Sequence, residues 1–234
     1  MEAIVKILDI TEVTHDVRRY RVEKPAGYSF NPGQATDVSI NLPRWKEEKR
    51  PFTFTALNDA PYLEFTIKSY RDHDGVTNQL GKLAPGGELI VRDVWGAIEY
   101  KGPGYFIAGG AGITPFLAIL RQLHKEGRLA GNTLFFSNKT SADIILREEL
   151  TGMLGENAFY LVTQEKTGAP SGQADVRGKT TGVVSGYLDK AFLQAHIKDF
   201  SQRFYLCGPD KMVAALQGIL GSLGASSDSV VFEK

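Results

Sequence analysis

Two rhythms of apolar and polar positions divide this chain. Up to about residue 100 the apolar residues come in short runs, with period-two alternation or a β-branched bias: Ala3–Ile10, Val17–Val22, Ala35–Ile40, Phe52–Ala56, Leu63–Ser69 and Glu88–Val91. Turn formers separate them, at Pro25-Ala26-Gly27, Asn31-Pro32-Gly33, Asn58-Asp59 and Pro85-Gly86-Gly87. Alternation puts every second side chain on one face of a strand, and the turn residues end each run. This half therefore predicts an all-β barrel or sandwich, with one short helix at Val76–Leu83 opened by Asp74-Gly75.

From Gly104 the rhythm changes to strand, helix, strand. Tyr105–Ala108, Asn132–Ser137, Ala158–Thr163, Arg203–Cys207 and Val230–Phe232 read as strands. Pro115–Lys125 carries Phe116, Leu117, Ile119, Leu120 and Leu123 at helical spacing. Further helices are expected near Ser141–Leu150, at Tyr187–Ala195 and at Lys211–Leu223. Strands alternating with helices imply a parallel sheet covered on both faces. The change falls at Lys101-Gly102-Pro103-Gly104, which gives domains of 1–101 and 102–234. The stretch Lys166–Gly182, rich in Gly, Ser, Thr and Lys, reads as a mobile loop.

Composition narrows the partners more than the fold. Of 234 residues, 42% are hydrophobic and 23% charged, an ordinary globular balance. Lys+Arg and Asp+Glu both number 27, so no basic excess points to nucleic acid. The single cysteine, Cys207, excludes an internal disulfide framework and a Cys-based zinc or iron–sulfur site. The four histidines show no metal-ligand spacing. With no secretory pattern at the start and no membrane-spanning apolar run, a cytoplasmic setting is expected, and a monomer.

Candidate chemistry gathers at turns. Gly109-Gly110-Ala111-Gly112-Ile113-Thr114-Pro115 follows the first strand of the α/β half. Glycines permit a tight turn and close approach of a ligand to the backbone. Thr114 suits a helix N-cap and Pro115 the first helical position, and the free N–H groups there favour an anionic phosphate. Taken alone, the turn is equally a well-capped helix start. Cys207-Gly208-Pro209 makes a second strand-to-helix turn, where Cys207 could sit against a flat ring or simply be a small buried hydrophobe. In the β half, Arg50-Pro51-Phe52-Thr53 offers an anion-binding fork, an aromatic face and a hydroxyl. Asp74-Gly75-Val76-Thr77 offers a second phosphate candidate, or a plain cap at Asp74.

In this order the motifs resemble the ferredoxin–NADP⁺ reductase family, which includes flavodoxin reductases and the reductase components of oxygenases. Arg50-Pro51-Phe52-Thr53 is similar to its Arg-x-Tyr-Ser flavin motif, and Gly75-Val76-Thr77 to its Gly-x-x-Ser/Thr turn. Gly109–Pro115 matches Gly-Gly-x-Gly-x-Thr-Pro, and Cys207-Gly208-Pro209 matches Cys-Gly-Pro. The resemblance covers nearly the whole chain. It implies a β + α/β architecture, with an N-terminal antiparallel Greek-key β-barrel and a Rossmann-like parallel α/β nucleotide-binding domain. It also implies FAD, with FMN possible, and NADP, with NAD possible.

By that resemblance Arg50 and Pro51 stand at the flavin phosphate, Phe52 against the isoalloxazine and Thr53 near its N5. Gly75, Val76 and Thr77 meet the pyrophosphate. Gly110, Gly112, Thr114, Pro115, Gly208 and Pro209 meet the pyridine nucleotide, Cys207 lies beside the nicotinamide, and Phe232 covers the flavin. Thr53 and Cys207 then bracket the hydride transfer. Phe52 replaces the family Tyr, Thr53 replaces Ser, and Glu233 and Lys234 follow Phe232. At Ser137-Asn138-Lys139-Thr140 a hydroxyl and a cation without an acid lean towards NADPH, with Ser137 and Lys139 as the contacts.

The implied activity carries electrons from NAD(P)H through the flavin to a separate one-electron carrier: a ferredoxin, a flavodoxin or an oxygenase component. Alternatives are a flavin or ferric reductase with a small-molecule acceptor, and a module that binds nucleotide without catalysis.

Overall fold

The computed structural model describes residues 2–96, 98–165 and 182–232. The expected loop at Lys166–Gly182 lies outside the described residues except for Gly182, and so do Glu233 and Lys234. By its contacts the chain forms two units, Met1–Tyr100 with Thr114–Gln122, and Lys101–Ile113 with Leu123–Lys234.

The first unit carries strands β1 (Ala3–Thr14), β2 (Val17–Glu23), β3 (Ala35–Ile40), β4 (Arg50–Thr53), β5 (Tyr62–Lys68) and β6 (Glu88–Trp95). Helix α1 (Val76–Leu80) stands between β5 and β6. All pairings are antiparallel, in the order β4-β3-β6-β1-β2-β5. A single bridge between Phe54, just past β4, and Phe65 of β5 joins the two ends of this order and closes a six-stranded Greek-key barrel. Alternation does what it predicts: Val5 and Ile7 of β1 and Tyr20 and Val22 of β2 point inward. Aromatic rings pack at the centre of the barrel, with Phe54 stacked on Phe30 at 4.1 Å and 5.4 Å from Phe65. The fourth run is offset from its expected span. Pairing starts at Arg50 and the regular strand ends at Thr53, because Phe54 turns its backbone towards β5.

The second unit holds strands β7 (Gly104–Gly109), β8 (Thr133–Asn138), β9 (Ala158–Val162), β10 (Val183–Ser185), β11 (Arg203–Cys207) and β12 (Val230–Phe232). They form one all-parallel sheet in the order β10-β9-β8-β7-β11-β12. The helices of this half are α2 (Thr114–Lys125), α3 (Arg147–Leu154), α4 (Lys190–His196) and α5 (Asp210–Ser222). Leu188, Phe192 and Leu193 from around α4 and Leu216 and Leu220 from α5 bury one sheet face around Ile107, Phe135, Leu161 and Phe204. Tyr105 stacks between Phe135 and Phe204, 5.5 Å from each. The body of α2 groups with the barrel, where Ile119 packs beside Gly33.

In this half two helices depart from expectation and one strand is additional. The helix expected near Ser141–Leu150 is a 3-10 turn at Ser141–Asp143, an extended Ile144, and then α3 from Arg147. Leu146 breaks the path with φ 52°, the only positive φ outside glycine among the described residues. Such a backbone is costly for a branched side chain, and the extended step before it allows Ile144 and Ile145 both to be buried. The helix expected from Tyr187 starts at Lys190, because Asp189 caps it and accepts the Phe192 N–H at 2.8 Å. Strand β10 is additional; three residues without alternation leave no periodic signal.

Candidate functional site

In the parallel sheet the chain steps outward from β7 to β8, β9 and β10. It then returns to β11 on the other flank of β7 and continues to β12. Connections leave β7 and β11 in opposite directions, so a crevice opens at their carboxyl ends, where such sheets bind ligands. The turns Gly109–Ile113 and Cys207–Pro209 both stand there. Gly110 has φ 53°, a left-handed conformation that glycine adopts freely. A β-carbon on Gly112 would lie 2.3 Å from the Cys207 carbonyl oxygen and 2.6 Å from the Gly208 nitrogen. The two turns therefore meet backbone to backbone.

Thr114 is not the cap that its residue type suggests. A 3-10 turn at Gly110–Ile113 runs directly into α2, so Thr114 and Pro115 are already helical. Beyond the second turn, Pro209 occupies the cap position of α5 without a side-chain cap, and Asp210 lies in the first turn. Half-buried Cys207 opens onto a cavity of about 450 Å³, lined with Gly208, Asp210, Val213, Gln217 and Phe232 among others. Phe232 reaches it because β12 pairs with β11 in a register that sets it beside Leu206.

One strand away, β8 ends at Ser137 and Asn138. Asn138 is buried, and neither polar atom of its carboxamide has a hydrogen-bond partner among the described residues. Buried orphan amides are rare, and a nucleotide at this strand end is a fitting partner. Lys139 is exposed. Two acids from outside residues 137–140 approach this loop. Asp143 accepts the Thr140 N–H and hydroxyl at 2.8 and 2.7 Å. Glu165 accepts the Ser141 N–H at 2.6 Å and its hydroxyl at 2.7 Å. The backbone bond from Ser141, helped by its hydroxyl, holds the Glu165 carboxyl below the ordinary glutamate value. Residues 137–140 themselves carry no acid, as read from the sequence, but two carboxylates from beyond them are bonded to Thr140 and Ser141.

In the barrel, Arg50 and Pro51 are exposed and Phe52 and Thr53 half-buried. The Arg50 guanidinium donates to its neighbour's carbonyl, Lys49 O, at 2.7 Å, and lies 3.8 Å from Glu48. Part of the Phe52 ring packs on the barrel core, tilted 6.4 Å from Phe65. Helix α1 begins at Val76 with Gly75 as its cap residue and no side-chain cap. Asp74 is not the cap, for its carboxylate pairs with Arg44 at 2.8 Å. The first N–H groups of α1, including those of Val76 and Thr77, are thereby left without a side-chain acceptor. At its other end α1 is tied down: Tyr20 donates to Leu80 O at 3.1 Å and Arg18 to Gly81 O at 2.6 Å.

Family models decide the identity. Residues 4–100 match the oxidoreductase FAD-binding domain, and residues 106–218 match the oxidoreductase NAD-binding domain. This chain belongs to the FAD- and NAD-binding oxidoreductases of the ferredoxin–NADP⁺ reductase type. Among relatives of this flavoprotein is an NADH-cytochrome b5 reductase 1 of Aspergillus terreus, 31% identical over 92% of this chain and 75% of that protein. The propane 2-monooxygenase reductase component of Rhodococcus jostii is 27% identical over 98% of this chain, which spans 62% of that protein's length. A ferredoxin NADP⁺ reductase of Neisseria gonorrhoeae, solved with FAD and NADP bound, has the same fold. Its TM-score is 0.81 at 18% identity, over 99% of this chain and 98% of that one.

The flavoprotein's glycine turns are legible in local sequence, but the place of Glu165 is not. That carboxylate meets Ser141 across 24 positions, and no spacing rule joins the two. Among the described residues no helix is long and apolar enough to cross a membrane.

Proposed function

We propose that this chain passes electrons from NADH through bound FAD to a separate one-electron carrier protein. Residues 1–101 serve as the flavin domain and 102–234 as the nucleotide domain. Bound flavin supplies the hydride acceptor and the switch from two-electron to one-electron chemistry, and the protein supplies position and electrostatics. Arg50 holds flavin phosphate with a guanidinium fork, and the uncapped N–H groups of Val76 and Thr77, beside Gly75, hold the pyrophosphate. Phe52 lies against the isoalloxazine, and the Thr53 hydroxyl donates near its N5. Gly110, Gly112, Thr114 and Pro115 form the floor for the pyridine nucleotide. Cys207, Gly208 and Pro209 flank the nicotinamide, and Phe232 is the ring it displaces. No acid, base or nucleophile is needed for hydride transfer.

The observation that carries this reading is the junction of the two glycine turns at the switch point, where Gly112 touches the Cys207 backbone. Its sequence partners Arg50 and Gly75 stand on a barrel matched to FAD binding. NADH is favoured over NADPH by the two carboxylates at the end of β8. A 2′-phosphate beside Glu165 and Asp143 meets like charge, whereas a ribose 2′-hydroxyl can donate to Glu165. Ser137 and Lys139 remain the neutral and cationic contacts at that loop. The relatives named as reductase components and cytochrome b5 reductases support a protein acceptor.

Purified protein is loaded with flavin, the flavin is identified by mass, and reduction is followed anaerobically with each nucleotide. The expected result is FAD that NADH bleaches faster than NADPH, with electrons passed on to a one-electron acceptor. Protein that retains no flavin, or whose flavin neither nucleotide bleaches, would overturn the reading.

A further inference from the structure

Glu64 is the one charged side chain among the described residues that is almost wholly removed from water, at 2% exposure. The proposed electron path gives it no task. It stands on β5, and its carboxylate accepts from Arg121 Nη1 at 2.8 Å, Arg21 Nε at 3.1 Å and the Thr55 hydroxyl at 3.0 Å. The same Arg121 Nη1 donates to the Thr55 backbone carbonyl at 2.6 Å. Arg121 lies on α2, within the stretch Thr114–Gln122 that belongs to the barrel's unit.

The placement of these groups matters. Arg121 is about 10 Å along the helix axis from Thr114. Thr55 follows Thr53 by two positions, about 7 Å of extended chain. One guanidinium thus joins the segment that presents the Thr53 hydroxyl to the helix whose first turn holds Thr114 and Pro115. A pair of apolar side chains could fill the same volume with no loss of stability. Apolar contact is non-directional, however, and leaves a helix free to slide by fractions of an ångström. A guanidinium bonded to both a carboxylate and a carbonyl has one geometry. Hydride transfer needs reacting atoms about 3–3.5 Å apart, and a misplacement of about 1 Å costs on the order of 100-fold.

We infer that Glu64 and Arg121 are positioning residues for the hydride step, setting the start of α2 against the flavin-facing strand. The inference rests on the proposed function. It is tested with the double variant E64L/R121M, which keeps the volume apolar, and with the conservative R121K. The first measurement is backbone amide exchange of segment 114–122 in flavin-free protein, which involves no turnover. The second, on FAD-loaded protein, separates the limiting rate of flavin reduction from the apparent Kd for NADH.

Faster exchange in 114–122 is expected in E64L/R121M, together with a limiting rate lowered about 10-fold or more and a Kd changed less than about 3-fold. R121K should recover part of the rate. A wild-type limiting rate with unaltered exchange would overturn the inference, and so would a rate that falls only in step with lost FAD. Should the double variant fail to fold, R121K alone, which keeps the charge but not the planar fork, is measured the same way and the same outcomes decide. Failure of the underlying function looks different: wild-type protein would itself not be reduced by either nucleotide. That result would remove the inference too, while leaving any difference in exchange intact.

Discussion

A β-carbon at position 112 has no room, because the Cys207 carbonyl oxygen would lie 2.3 Å away and the neighbour is backbone that cannot rotate aside. Gly112→Ala should therefore force the two turns apart, at about 1–3 kcal/mol of stability. It should weaken nucleotide binding more than FAD binding, as thermal unfolding and titrations with each cofactor will read. At position 165 the prediction concerns choice of nucleotide. Glu165→Gln removes the charge that opposes a 2′-phosphate, and the ratio of kcat/KM for NADH over NADPH should narrow roughly tenfold, about 1.4 kcal/mol. An unchanged ratio would remove Glu165 from the nucleotide site. The two residues differ in legibility. Glycine need is written locally, in a Gly-Gly-x-Gly run after an apolar strand. Glu165 acts on Ser141 from the end of a different strand, and a mere polar loop is all that its neighbours in sequence suggest.

Elements place these residues, and α1 shows how. Its amino end lacks a side-chain cap because Asp74 is taken up by Arg44. Its carboxyl end is fastened by Tyr20 and Arg18 from β2. Tyr20→Phe deletes the bond to Leu80 O, which still accepts the Leu83 N–H at 3.0 Å. The expected cost is therefore a modest 0.5–1.5 kcal/mol or so, read by urea unfolding. FAD affinity should fall with it, because the turn at Gly75 loses its anchor. The helix was foreseen as Val76–Leu83 and is shorter, Val76–Leu80. Gly81 and the turn that follows lead into β6, a tertiary demand that residue propensities do not register. In α3 and α4 the type of element was legible from apolar spacing. Their starts were decided by the paired burial of Ile144 and Ile145 and by the Asp189 cap.

Over the whole molecule, the barrel's buried charge gives stability a pH dependence. Burial by itself would raise the Glu64 carboxyl. The Arg121 charge and hydrogen bond, with bonds from Arg21 and Thr55, more than reverse this and hold it below the ordinary glutamate value. Because the folded value is depressed, the contribution is complete above the unfolded value of about 4.3 and is lost as pH falls from there through the folded one. Asp16 acts in the same sense: burial would raise its carboxyl, but the bonds to Lys68 and Thr14 and the Lys68 and His15 charges together more than reverse it. Glu64→Gln should therefore lower stability at neutral pH by about 3–5 kcal/mol, the scale of a broken buried pair. It should also flatten, without abolishing, the acid limb of a stability profile from urea unfolding across pH. A variant with an unchanged acid limb would mean that Glu64 does not titrate with folding.

What the sequence determined by itself was everything carried by local periodicity and local backbone need. The antiparallel barrel followed from period-two runs, the parallel sheet from alternating strands and helices, and the tight turns from glycine beside apolar strands. Tertiary structure alone decided which of these turns meet. The return of the chain to β11 beside β7 brings Gly112 against Cys207, two positions that no sequence period connects. It also decided where charge is buried and where it ties distant loops together, as at Glu64 and Glu165. Electrostatic interactions act through space between residues far apart in the chain, whereas hydrophobic rhythm and glycine torsions are properties of neighbours along it.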